Sequence, residues 1–154
     1  MLGSLSLTRT LDAWQDCARD APVADGQSQM DRNMHDEAWW NALIATIDGK
    51  RAQEFAQFLT PDGEFRFGNQ PAVHGRDNVA AYVAAFFGMI GGSVHDLERT
   101  WRDGDTRACA GRVTYTRLDG KTVTVPFANV FYMRGDQVAR YLIFIDNGPL
   151  FAPG

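Results

Sequence analysis

The chain has 154 residues, 45% of them hydrophobic and 22% charged, with a formal net charge of −4. Those values fit one globular domain and exclude a generic polyanion binder, whose phosphate affinity comes from dense Lys and Arg. The longest apolar run, Val79 to Ile90, falls short of the roughly 20 residues that a membrane span needs.

Residues 1 to 32 read as an extension. Leu7, Leu11, Trp14 and Ala18 have helical spacing, which predicts a short amphipathic helix. Its polar face carries Asp12 and Asp16, which argues against a membrane surface. The segment Ala21 to Gln29, with its Pro, Gly and Ser, reads as a linker. Met1 to Leu7 has no early positive charge and too short an apolar run for a signal peptide, so a cytoplasmic location is expected. Cys17 and Cys109 are too few for a disulfide framework and lack metal-ligand spacing.

A compact domain is expected over residues 33–154. Trp40, Leu43, Ile44 and Ile47 form one helical stripe that ends at Asp48-Gly49. Ala52, Phe55, Ala56 and Leu59 form a second, stopped by Thr60-Pro61. Asp62-Gly63 predicts a turn, and Glu64 to Gly68 a short strand. Val79, Tyr82, Val83, Phe86, Phe87 and Ile90 mark a third helix. Alanines fill its other side, so it should be covered on most faces. From Ser93 the pattern alternates with period two, interrupted at Asp103-Gly104, Asp119-Gly120 and Arg134-Gly135-Asp136. This predicts four antiparallel strands joined by hairpins: 93–102, 105–118, 121–133 and 137–146. A strongly twisted sheet of this kind curls around the helices and leaves a pocket.

Several polar residues interrupt apolar patterns. Asp146 ends a strand whose two faces both read as buried. A carboxylate against apolar walls has a raised pKa that suits acid/base work, although a strand-end aspartate also caps a turn such as Asn147-Gly148. Asn129 shares the phase of Val123, Val125, Phe127 and Phe131, so a lone amide sits in an apolar row. It could donate to a substrate oxygen or serve as a satisfied structural amide. His74 lies in the loop before the third helix, near the expected pocket mouth, and is the histidine best placed for catalysis. His95 shares its phase with Leu97 and Trp101 and reads as packed. Trp40, Tyr82, Phe86, Tyr115, Phe131 and Phe144 serve either as core or as walls for a flat ligand, with Trp40, Tyr82 and Phe86 best placed as wall. No metal site is expected, because the three histidines share no ligand spacing. No G-x-S-x-G, P-loop or G-x-G-x-x-G motif occurs.

Three phrases occur in order: Leu59-Thr60-Pro61-Asp62-Gly63-Glu64-Phe65-Arg66-Phe67-Gly68-Asn69, Val73-His74-Gly75-Arg76-Asp77-Asn78-Val79, and Tyr141-Leu142-Ile143-Phe144-Ile145-Asp146-Asn147-Gly148-Pro149-Leu150. Together with the element order, they make residues 34 to 150 resemble the SnoaL-like branch of the nuclear transport factor 2-like superfamily. The resemblance implies an α+β fold: a cone-shaped barrel of a curved, mostly antiparallel sheet around three helices, with the N-terminal helix added here. It also implies an apolar cavity and a homodimer. The superfamily includes polyketide cyclases, steroid isomerases, epoxide hydrolases, dehydratases and binding modules, so fold analogy does not select a reaction.

The same resemblance sets expectations for individual positions. SnoaL-like enzymes often use an aspartate near Asp146. Asn129 falls where steroid isomerases place an oxyanion donor. Limonene epoxide hydrolase-like proteins carry Arg-x-Asp, and here Arg112-Val113-Thr114 keeps the arginine and loses the carboxylate. Arg112 then either contacts substrate or forms an exposed cross-strand charge pair. Phe67 stands where steroid isomerases carry their base, so that mechanism is disfavoured and Phe67 becomes wall. The expectation is a cofactor-independent cyclase, isomerase or dehydratase acting on a hydrophobic polyketide- or terpenoid-like molecule, with Asp146 and Asn129 as its chemistry. The alternative is a non-catalytic binding or accessory dimer. No nucleic-acid or membrane partner is expected.

Overall fold

The computed structural model describes residues 26–153. Helix α1 spans Gly26–Asp48, α2 Ala52–Ala56, α3 Arg76–Gly88 and α4 Gly148–Phe151. The strands are β1 Leu59–Phe67, β2 Val73–His74, β3 Gly92–Asp103, β4 Thr106–Thr116, β5 Thr122–Arg134 and β6 Gln137–Ile145. Among the described residues no helix is long and apolar enough to cross a membrane. The helix expected around Leu7 to Ala18 lies outside the described residues. Gly26 to Gln29 are helical where composition predicts linker.

The chain divides into two compact units, residues 1–38 and 39–154. In the first, the described part is the N-terminal half of α1, a polar helix with Arg32 bonded to Gln29 one turn earlier.

In the second unit the strands form one six-stranded sheet in the order β2-β1-β6-β5-β4-β3. The three hairpins β3–β4, β4–β5 and β5–β6 are antiparallel, as the Asp-Gly and Gly-Asp turns predict. Gly104, Gly120 and Gly135 take positive φ at those turns (54°, 82° and 63°), a region that costs any residue with a Cβ. β1 joins the sheet by running parallel to β6, pairing Phe65 with Tyr141 and Phe67 with Ile143.

The start of β1 departs from the pattern expected of a helix end and a turn. Leu59 is the first residue of the strand rather than the last of a helix, and Asp62-Gly63 lies inside the strand. Pro61 has no N–H for the ladder, and the pairing with β6 jumps between Leu59 and Glu64. An irregular stretch of strand therefore replaces the turn.

Alternation along β4 and β5 sends one phase inward. Tyr115, Val125, Phe127 and Phe131 are buried there, joined by Tyr141 of β6. They pack with Phe55 of α2 and Val79, Val83 and Phe87 of α3 as one core, so the sheet curls over the helices. Helix α3 is covered on one side only. Ala81, Ala84 and Ala85 face solvent, because alanine raises the apolar count while adding little surface that needs burial.

Candidate active site

The concave face of the sheet and α3 enclose an inner cavity of about 50 Å³. Most of its wall is apolar: Phe67 from β1, Tyr82 and Phe86 from α3, Tyr115 from β4, Phe127 from β5 and Ile145 from β6. A wider recess of about 410 Å³ shares Phe67, Tyr82, Phe86 and Ile145 with it. The inner space suits a few heavy atoms, and the outer recess a ring system.

One polar cluster breaks the apolar wall. Asp48 is the last residue of α1, where Lys50 at φ 55° and the Arg51 N–H bond to Thr46 O end the helix. Ser93 and His95 are two apart on β3 and therefore share its inner face, and both line the cavity. Ser93 Oγ donates to Asp48 Oδ1 at 3.0 Å, and the His95 backbone N–H donates to Oδ2 at 2.9 Å. His95 Nδ1 lies 2.6 Å from Asp48 Oδ1. β3 is an edge strand, so alternate N–H groups have no strand partner, and the Asp48 carboxylate takes one of them.

This arrangement fixes the imidazole. Nδ1 carries the proton that Asp48 accepts, and Nε2 remains without a protein partner among the described residues. Phe127 meets the ring edge-on at 5.3 Å. Burial alone would raise the Asp48 pKa. The hydrogen bonds from His95 and Ser93 outweigh it and hold the carboxyl below the usual value.

Tyr115 pairs with Ser93 across the β3–β4 ladder. Burial pushes its hydroxyl up to about 12, and Asp48 adds to the shift, so near neutral pH the group is a hydrogen-bond donor. Burial also raises Tyr82. Tyr141, fully enclosed, is raised well above the ordinary value. Burial pushes the Cys109 thiol up to about 12, which makes it a poor nucleophile.

Of the residues singled out from sequence, Phe67, Tyr82, Phe86, Tyr115 and Asn129 line the inner cavity. Asn129 differs in chemistry from the expectation. Its Nδ2 donates to Tyr141 Oη at 3.2 Å, and its buried Oδ1 has no partner among the described residues, so the vacant atom is an acceptor.

The remaining residues lie elsewhere. Asp146 follows the last residue of β6 and is exposed at the rim of the outer recess, where its Oδ1 accepts the Gly148 N–H at 2.9 Å. The apolar setting expected of it is absent, because its phase of β6 points outward: Phe144 is 57% exposed and lines no part of the inner cavity. His74 is exposed on β2 opposite Glu64, away from both spaces. Arg112 lies on the outer face of the sheet and pairs with Glu98 at 3.2 Å. Trp40 and Phe131 are core, their rings 5.2 Å apart, and Phe131 stacks on Tyr141 at 4.2 Å.

Asp48, Ser93 and His95 were not identified as a site from sequence. Ser93-x-His95 placed two polar groups on one strand face, but no spacing ties them to an aspartate 47 residues away.

Residues 40–141 match the family model described as SnoaL-like domain. No curated protein matches the sequence. Among solved structures, an NTF2-like protein of unknown function from Burkholderia pseudomallei K96243 superposes with a TM-score of 0.67 at 14% identity, covering 74% of this chain and 92% of its own. A protein with a ketosteroid isomerase-like fold from Catenulispora acidiphila DSM 44928, in complex with trimethylamine, gives 0.64 at 17% identity, covering 69% and 83%. A SnoaL-like polyketide cyclase candidate from Jannaschia sp. CCS1 gives 0.60 at 19% identity, covering 75% and 93%. At these identities the likeness establishes the fold.

Proposed function

The chain belongs to the SnoaL-like domain family, and from that premise we propose that it is a cofactor-independent proton-transfer enzyme acting on a neutral hydrophobic carbonyl compound. The observation that carries this reading is the Asp48–His95 pair opening onto an apolar cavity. Cyclisation, isomerisation and dehydration all need such a step.

In this reading the reacting end of the substrate enters the inner cavity and its ring body fills the outer recess. His95 Nε2 removes a proton from the carbon next to the carbonyl. Asp48 stabilises the resulting imidazolium and keeps the ring in the correct tautomer. The Tyr115 hydroxyl donates to the enolate oxygen as charge develops there. His95 then returns the proton to carbon, or to a departing oxygen. The unpaired Oδ1 of Asn129 accepts a hydroxyl of the substrate. Acid/base catalysis of this kind supplies about 10²–10⁴-fold, and an oxyanion donor about 10²–10³-fold. Those factors suffice for an activated carbon acid. Asp146 has no catalytic part.

The test is α-deuteration of 2-tetralone, a flat ketone with an acidic C–H, followed by NMR in D₂O. Wild type accelerates exchange, His95→Asn loses the acceleration, and Asp146→Asn keeps it. Wild type that binds the ketone without exchanging it is a binding module instead, and exchange that survives His95→Asn removes the histidine from the mechanism.

The outer face of the sheet supports a homodimer. Trp101, Ala108, Val130 and Leu142 form one cross-strand row, and Phe144 adjoins it opposite Ala128. Trp101 and Phe144 are each at least half exposed, which is unusual for large apolar side chains without a partner. Phe144→Glu should turn a dimer into a monomer in light scattering. A wild-type monomer refutes the assembly.

A further inference from the structure

Asn147 lies between β6 and α4, and its side chain caps nothing. The turn is held by its neighbour, through Asp146 Oδ1 and the Gly148 N–H. The Asn147 Nδ2 and Oδ1 are both buried, and neither has a hydrogen-bond partner among the described residues. The Tyr115 hydroxyl lies close enough for the Asn147 amide to lower its pKa, but no well-formed hydrogen bond joins the two. A buried amide with both ends unmatched carries a desolvation cost that one complementary ligand group would remove.

The residue lines the outer recess, beside Phe67, Phe86, Met89 and Phe151. Met89 and Phe151 are each about half exposed there, so the mouth offers apolar surface without a cover. Among the described residues the recess has no Lys or Arg in its lining and carries the Asp146 carboxylate, which disfavours an anion.

Resting on the reading of these two spaces as one ligand site, we propose that Asn147 is a specificity-determining residue for a neutral group that presents an acceptor and a donor side by side. A primary carboxamide has that pattern. The ligand carbonyl accepts from Nδ2 and its N–H donates to Oδ1, closing two hydrogen bonds in one ring. Binding includes a small rotation of the amide toward the recess. The group is then held at the mouth while the apolar body reaches toward the Asp48–His95 pair.

The experiment compares two neutral probes of equal body, 2-naphthamide and 2-acetylnaphthalene, by NMR titration of the intact protein. The ketone keeps the acceptor and lacks the donor. Wild type is expected to favour the carboxamide by about tenfold or more, the value of one well-made buried hydrogen bond. Asn147→Leu and Asn147→Ala should each bring that ratio to within about twofold of unity while ketone binding holds. His95→Asn should keep the preference, so loss of catalysis and loss of recognition are read separately. Wild type with no preference, wild type that binds neither probe, or a preference that survives both Asn147 variants overturns the proposal.

Discussion

Two aspartates end secondary-structure elements in this chain, and their surroundings differ completely. Asp48 closes α1, and its carboxylate receives three contacts from Ser93 and His95 on another element. Asp146 follows β6, and its carboxylate receives one N–H from its own turn, two residues on. The first is partly buried behind Ser93 and His95 of the cavity wall and has a lowered pKa. The second is exposed. Residue type and position at an element end do not distinguish them. Only Asp48 holds a histidine against an apolar space, and a carboxylate becomes part of proton-transfer machinery through what it orients.

Replacing the histidine tests this contrast most severely. His95→Asn should slow 2-tetralone exchange by about 10³-fold, within the range for a positioned acid/base. The ketone should still bind, since the aromatic wall remains. Asp48→Asn should cost on the order of 10²-fold, because the imidazole loses its tautomer and its counter-charge. Tyr115→Phe should cost about 30-fold in the rate constant with little change in affinity, less than a fully preorganised donor because Tyr82 shares the cavity. At the other end of the scale, Asp146→Asn should leave exchange within about twofold and the melting temperature nearly unchanged, since an amide oxygen also accepts from Gly148. If Asp146→Asn were the damaging variant, the two regions would have to exchange roles.

The contrast also has a pH signature. The Asp48 carboxyl titrates lower in the folded chain than in the unfolded one. Its hydrogen bonds therefore add stability above the unfolded value, about 3.9 for an aspartate, and that stability is lost as the pH falls through the folded value. Calorimetry of wild type against Asp48→Asn should show a full difference in melting temperature above about pH 4 that shrinks in more acid solution. A difference that grows on acidification contradicts the assigned bonding.

The fold was largely legible in the sequence. Period-two runs separated by Asp-Gly or Gly-Asp state the hairpins, because local turn geometry selects those residues. Helical stripes around Leu43, Phe55 and Val83 state which sides are buried. The phase of Asn129 among Val125, Phe127 and Phe131 placed an amide in an apolar row, and the structure turns that row toward the cavity. Legibility failed where a neighbour in space decides the outcome. Pro61 and Gly63 read as helix stop and turn, yet the parallel partner β6 draws them into a strand. His95 read as a packed histidine because its strand phase is visible in the sequence and its partner is not.

By itself, the sequence determined the order of the main helices and long strands and the hairpin turns, since these follow from steric preferences and side-chain periodicity over a few residues, whereas the short β2 and α4 escaped it. Tertiary structure alone decided which carboxylate meets a histidine. That bond joins residues 47 apart, and it forms because β3 is an edge strand whose free N–H lies where α1 ends. A hydrogen bond requires approach within about 3 Å, and no local pattern records such an approach between distant segments.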